Sequence, residues 1–544
     1  MKTSQLTLLV LAVVIIAVTG HAAEYDVKQD GTGNFKAIQA AINASADGDV
    51  IVVHPGTYYE NIEFKGKNIV LRSVAPEDEQ IVASTIIDGA RQGSVVTFEG
   101  TESETCLLSG FTITNGYSST FGGGIYGMGN GVGPATHGAI TNCRITGNEG
   151  SIGGGLSCCA GTISNCTISD NQSFGMGGGL DFCNGAISNC TITGNSVSWS
   201  MGGGGGLYQC GGTISNCTIS CNSASAGGGL DRCEGAIIDC IITDNSATGG
   251  MNGSWGGGLE GCDGTISNCT ITGNSANSAG GGVSFSGGQI SNCTISGNSA
   301  GQTGGGLDDY VGAISNCVIW ANEAPKGPNL FECHGAVIRY SCVPSWTGEG
   351  EGNIYDDPLF VSGPLGAYYL SCVAAGQAAD SPCIDRGSAT AESLGLDKFT
   401  TRTDGAPDAG IVDMGVHYPV PEAKPRIGCS LNQDEFQPGQ LLVASVDAQN
   451  EGGKIVMDVY LGFILPDGSI LCFTGIGFAQ GLVPWLVSIT LPQGIHYGPA
   501  EVFRLLIPES ASPGDYLLGC ALAKSGESPS AGDVSLFPFR ISSK

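Results

Sequence analysis

Through the middle of the chain, short alternations of apolar and polar residues recur at a nearly fixed interval. In Thr162-Ile163-Ser164-Asn165-Cys166-Thr167-Ile168-Ser169, alternation points Ile163, Cys166 and Ile168 inward and the Thr and Ser outward. Such runs are too brief for helices. The full unit reads GGGL-x-x-C-x-G-x-I-S-N-C-T-I-x-x-N. Its second cysteine falls at Cys143, Cys166, Cys190, Cys217, Cys240, Cys269, Cys293 and Cys317, with spacings of 23, 24, 27, 23, 29, 24 and 24. A fixed period of this size marks a repeat architecture, in which each unit buries its apolar face only against its neighbours. Several short strands per unit, joined by glycine corners, make one coil of a parallel β-helix. Equivalent side chains then stack about 4.8 Å apart.

The flanking patterns differ. Asn34 to Ala44 places Phe35, Ile38, Ala41 and Ile42 on one helical face, which predicts a helix capping the open end of the solenoid. The repeat fades after Cys333, and residues 353–418 read as irregular closing coils. Pro419, Pro421 and Pro425 mark a linker. Beyond Ile427 come longer strand-like runs and the hairpin signal Pro466-Asp467-Gly468. The expectation is all-β: a signal peptide over 1–22, a parallel β-helix over 23–418, a linker over 419–426, and an immunoglobulin-like β-sandwich over 427–544. Lys2, the apolar stretch Leu6 to Val18 and Gly20-His21-Ala22 carry the signal reading. It predicts a secreted or cell-surface protein with no transmembrane span once the signal is removed.

Two asparagine columns follow from the repeat. One lies five residues after each cysteine (Asn148, Asn171, Asn195, Asn222, Asn245, Asn274, Asn298, Asn322). The other lies one residue before it (Asn142, Asn165, Asn189, Asn216, Asp239, Asn268, Asn292, Asn316). A corner leaves backbone groups without ladder partners, and stacked amides satisfy them. Of the 23 cysteines, those in the repeat are expected to form two inward columns of free thiols, because stacked parallel side chains do not meet disulfide geometry; the alternatives are a ladder of disulfides or a metal array. Cys372 and Cys383, outside the repeat, are the expected bridge.

Charge narrows the function. The net charge is −29, and Arg144, Arg232 and Lys326 are the only basic side chains between residues 121 and 330. No basic face exists to displace counterions, which excludes nucleic-acid binding. The six histidines are scattered without zinc spacing.

The residue after G-G-G-[LV] breaks the monotony: Ser157, Asp181, Tyr208, Asp231, Glu260, Ser284 and Asp308 are expected to face outward. Asp231 and Glu260 then stack as neighbours beside Arg232. Asp181, Asp231, Arg232 and Glu260 are the candidate acid–base groups, and Asp231 with Glu260 the candidate Ca²⁺ ligands. Phe174, Trp199, Tyr208 and Trp255 offer ring faces for sugars. The plainer alternative is a solvated acidic face with aromatics covering the coil edge.

Tyr25-Asp-Val-Lys-Gln-Asp-Gly-Thr-Gly-Asn-Phe-Lys-Ala-Ile-Gln-Ala-Ala-Ile42 and Gly48-Asp-Val-Ile-Val-Val-His-Pro-Gly-Thr-Tyr-Tyr-Glu-Asn-Ile62 resemble the opening of pectin-lyase-like β-helix proteins, pectin methylesterases included. The central repeats are similar to those of chlamydial polymorphic outer-membrane proteins. The stretch from Asn353-Ile-Tyr-Asp-Asp-Pro-Leu-Phe360 to Ile411-Val-Asp-Met-Gly415 resembles the end of large secreted bacterial β-helix proteins. The resemblance implies a right-handed coil. It transfers no catalytic residue. The D-F-I-F-G and L-G-R-P-W motifs of the methylesterases have no match, nor do the N-T-D, G-H-G and R-I-K motifs of polygalacturonases. The expected function is therefore non-catalytic: a face binding an extracellular polysaccharide, a surface glycan or another surface protein. The alternative is a polysaccharide lyase or glycoside hydrolase.

Overall fold

The computed structural model describes residues 22–128, 135–250, 253–344, 346–420, 425–450, 455–474, 477–491, 495–529 and 534–543. The proposed signal segment, apart from its final residue, lies outside them. The chain divides into two compact units, the first ending at Pro419.

The first unit is a right-handed parallel β-helix whose coils pass through four parallel sheets of 13, 11, 11 and 8 strands. One coil shows the plan: Leu230–Asp231, Ile237–Ile238, Ile241–Thr243 and Ser246–Ala247 each join a different sheet. Registers are unbroken from coil to coil, with Leu230 opposite Leu259 and Ile242 opposite Ile271. Leu230, Cys233, Ile237, Cys240 and Ile242 are all buried, as are their equivalents along the stack. Each buried Leu or Ile contributes roughly 1.5–3 kcal/mol relative to exposure, so stability grows coil by coil. The expected inward columns are present.

The two asparagine columns divide their work. Asn142, Asn165 and their equivalents, through Asn316, take left-handed φ of +49° to +55°, making the corner between two sheets. Asparagine tolerates that conformation better than most residues. The column beginning at Asn148 lies inside the coil. There Asn222 Nδ2 donates to Ile192 O at 2.9 Å and to Asn245 Oδ1 at 3.0 Å, and the pattern repeats to Asn322.

The N-terminal cap is a shorter helix than expected, Ile38–Ala44, burying Ile38, Ala41 and Ile42. Glu60 caps it from afar, accepting from the Ile38 and Gln39 N–H groups at 2.8 and 2.9 Å. A second helix, Glu79–Ser84, was not foreseen. Its Asp78 cap accepts from Gln80 and Ile81 N–H. At the other end, residues 415–417 lie back on the earlier coils. His417 N–H donates to Asn268 Oδ1 and Val416 N–H to Thr294 Oγ1.

The cysteines are free, and all but Cys158 and Cys221 are buried. The expected Cys372–Cys383 bridge is therefore corrected. Cys383 packs with Cys342, Val318, Leu370 and Met414, whereas Cys372 sits at the start of a short 3₁₀ turn, Val373–Ala375.

The second unit is a sandwich of mostly antiparallel strands, with Glu435–Phe436 joining Val534–Ile541 in parallel. Arg426–Leu431, Leu441–Asn450 and Ile495–Leu506 form one sheet, and a larger sheet centres on Ile455–Ile464 and Gly514–Lys524. Phe436, Leu442, Leu461, Phe463, Leu518 and Phe539 fill the space between them.

Candidate functional site

The column after G-G-G-[LV] points away from the coil interior, as alternation requires, yet it does not reach solvent. Asp181 is 0% exposed and Asp231 3%. The first glycine of each triple is the cause. Gly177, Gly227 and Gly256 hold φ of +59°, +52° and +62°, folding the chain back over the residue four positions on. A Cβ at Gly177 or Gly227 would stand 2.8 or 2.6 Å from the Asp181 or Asp231 Cβ. Gly203 closes the other side of Asp231, for a Cβ there would lie 1.7 Å from Asp231 Oδ2. Outward from the coil is thus still inward of the surface, and the expected exposed carboxylate face is corrected to a covered one. Glu260 is only partly covered.

Burial has the chemical consequence that a carboxylate stripped of water has. Desolvation pushes Asp181 up to about 8, with the Cys183 thiol adding to it. Asp231 is also pushed to about 8, by burial first and then by Glu260, and Glu260 to about 7 by burial. Asp181 Oδ1, Asp231 Oδ1, Ser284 Oγ and Asp308 Oδ1 are buried without a hydrogen-bond partner. Asp231 and Glu260 are direct register partners, as the repeat requires. Arg232 Nε lies 3.7 Å from Asp231 Oδ1 and supplies positive charge at the pair. Among the described residues no three His, Cys, Asp or Glu side chains converge on a metal position. The Ca²⁺ reading thus retains two carboxylates and an adjacent guanidinium, short of the six to eight oxygens that calcium prefers.

What meets solvent is the next residue along. Cys158, Phe182, Gln209, Arg232, Gly261, Phe285, Asp309 and Glu332 occupy a corner column with φ of +46° to +58°. Phe182 and Phe285 are 43% and 45% exposed. Phe182 meets Tyr208 edge-on at 6.2 Å, and the Tyr208 hydroxyl accepts from Arg232 Nη1 at 3.1 Å. The Arg232 stem passes over Gly261, whose missing side chain leaves room for it. Trp255 meets Phe285 edge-on at 5.9 Å. These residues span four coil steps, about 19 Å at 4.8 Å per step. Trp255, expected to bind sugars, belongs to this strip; Tyr208 lies beneath it at 6% exposure, so the expected ring face there is corrected to a buried support for Phe182 and Arg232. Phe174 pairs instead with Tyr117 at 6.3 Å, and Trp199 is exposed with no ring partner among the described residues. Phe182 and Phe285 went unnoticed in sequence because alternation assigns a corner residue to neither face; a bulky apolar residue at this repeat position was the available signal.

No known protein-family profile matches the chain. A 76-residue stretch is 40% identical to the probable pectinesterase/pectinesterase inhibitor 17 of Arabidopsis thaliana, covering 13% of this chain and 14% of that protein. The chain thus spans about a seventh of the length of this curated relative. Among solved structures, the CARDB domain of a Pyrococcus furiosus protein aligns at 12% identity over 22% of this chain and 88% of its own, with a TM-score of 0.15. Spo0M, the sporulation control protein of Bacillus subtilis, aligns at 13% identity over 22% of this chain and 49% of its own, with a TM-score of 0.14. A mutant β-glucosidase of Listeria innocua aligns at 18% identity over 25% of this chain and 18% of its own, also with a TM-score of 0.14. Scores this low carry no argument. The long parallel sheets and the local likeness to a pectinesterase fit a pectin-lyase-like β-helix.

Proposed function

We propose that this is an exported, non-catalytic β-helix protein that binds carbohydrate along the corner strip from Phe182 to Phe285. One observation carries the reading: the repeat exposes aromatic rings at its corners while glycines cover the carboxyl groups beside them. Sugar rings present C–H faces that stack on exposed aromatic side chains and hydroxyls that bond to a guanidinium such as Arg232. The pectinesterase-like stretch favours a plant-type or cell-wall polysaccharide as the ligand class. Export rests on the signal-like start of the sequence. No helix among the described residues is long and apolar enough to cross a membrane.

The test is affinity electrophoresis through gels cast with pectins, xylans and β-glucans. Retardation by one polysaccharide, lost in Phe182→Ala/Phe285→Ala, is the expected result. Unchanged retardation in that variant refutes the strip as the site. A hydrolytic second reading is favoured by the raised Asp231–Glu260 pair, since a protonated carboxyl beside a second carboxylate suits acid–base cleavage. Release of reducing ends or unsaturated products from any of these polymers, abolished by Asp231→Asn, would replace binding with catalysis.

A further inference from the structure

At the C-terminal end of the coil stack the four sheets do not finish together. The last strand of the 13-stranded sheet, Val337–Arg339, is still covered, because Ile338 and Tyr340 N–H donate to Glu349 and Glu351 carbonyls. The sheet that carries the Leu–Asp strands ends at Leu330–Phe331, with no strand after it among the described residues. In the preceding coil, Gly304, Gly306, Leu307 and Asp309 N–H donate to Lys326, Pro328, Asn329 and Phe331 carbonyls. The equivalent groups one coil on are the N–H of Gly327, Asn329, Leu330 and Glu332. They meet no acceptor among the described residues.

The residues of these donors line a cavity of about 780 Å³ together with Pro344 and Trp346. Its lining includes the apolar Leu330, Ala336 and Val337, His334, and the exposed carboxylates Glu332 and Glu349, with no lysine or arginine. The site therefore offers a row of backbone donors, an aromatic ring and negative charge.

We propose that this open edge takes an extended segment of a basic polypeptide as an added strand. An unpaired edge is a template for main-chain pairing, and the alternate peptide carbonyls on one side of an extended strand supply acceptors that these N–H groups lack. Charge complementarity selects the partner, since lysine or arginine flanking the strand meets Glu332 and Glu349 while an acidic strand meets like charge. The other end of the solenoid is closed by the helix Ile38–Ala44, so the edge is not completed by head-to-tail stacking of copies. The proposal is independent of the carbohydrate strip.

The probe is the peptide acetyl-Lys-Val-Thr-Val-Lys-amide, with acetyl-Glu-Val-Thr-Val-Glu-amide as its acidic counterpart, titrated into the full chain by calorimetry. The expected result is at least tenfold tighter binding of the basic peptide. Amide exchange of residues 327–332 should slow at least tenfold in the complex, a signature that surface adsorption does not produce. Glu332→Lys/Glu349→Lys should invert the preference; both side chains are exposed, so folding is spared. Equal affinity for the two peptides, binding without slowed exchange at 327–332, or no binding of the basic peptide would each overturn the proposal.

Discussion

Asp181 offers the sharpest test of the covered carboxyl column. Its side chain is fully buried, with Oδ2 3.4 Å from Ser157 Oγ and Oδ1 unpartnered. Burial raises it from 3.8 to about 8. The folded chain therefore keeps a proton that the unfolded chain releases. The stability this proton carries is complete below the unfolded value, falls through the interval between the two values, and is gone above about 8. The slope is about 1.4 kcal/mol per pH unit, so near pH 7 the loss is on the order of 4 kcal/mol. Asp181→Asn preserves the shape without the charge. The variant should match the wild type near pH 4 and exceed its stability near neutral and alkaline pH, as read by urea unfolding monitored through tryptophan fluorescence. Asp231 and Glu260 titrate in both proteins, so the difference isolates Asp181. A difference that does not vary with pH, or a variant weaker near pH 8, would refute a buried neutral carboxyl.

Three further outcomes follow from the packing. Gly203→Ala should cost roughly 2 kcal/mol through the Cβ clash with Asp231 Oδ2, and a double-mutant cycle with Asp231→Ala should recover part of it; strict additivity would show that the two do not touch. Asn222→Ala strands the Ile192 carbonyl and the Asn195 amide groups, costing roughly 3 kcal/mol, with faster hydrogen exchange in the adjoining coils as the readout. Native labelling with a maleimide should modify Cys221 and Cys158 first, and mass spectrometry under non-reducing conditions should find Cys372 and Cys383 as separate thiols.

The solenoid was legible because stacking forces a column to keep one residue type. Cys166, Ile168 and Asn171 could each be assigned from their copies. The site was less legible because one-dimensional alternation knows only two faces. Asp231 was assigned outward correctly relative to its own coil, but exposure depended on Gly203 and Gly227, whose positive φ or close approach leaves no signature in hydrophobicity. Phe182 and Phe285 lie where the chain turns through a left-handed corner, outside any strand alternation. The helix Glu79–Ser84 was missed because six residues are too few to display a helical period.

From the Leu or Val of each triple-glycine strand to the second cysteine the chain always counts ten residues, as from Leu180 to Cys190 and from Leu259 to Cys269. From Cys143 to Cys317 all the variation in coil length falls in the loop that follows the interior asparagine and ends at the triple glycine, whereas the coil before it carries eight extra residues between Ile125 and Cys143. The asparagine and glycine clamp each loop at both ends, so residues added between them enter and leave at the same two points without shifting the stack. Over these coils the protein thus keeps its structural tolerance on one edge, the edge that leads into the aromatic strip. A new recognition surface can be lengthened or replaced there one coil at a time, while the cysteine, isoleucine and asparagine columns continue in register beneath it.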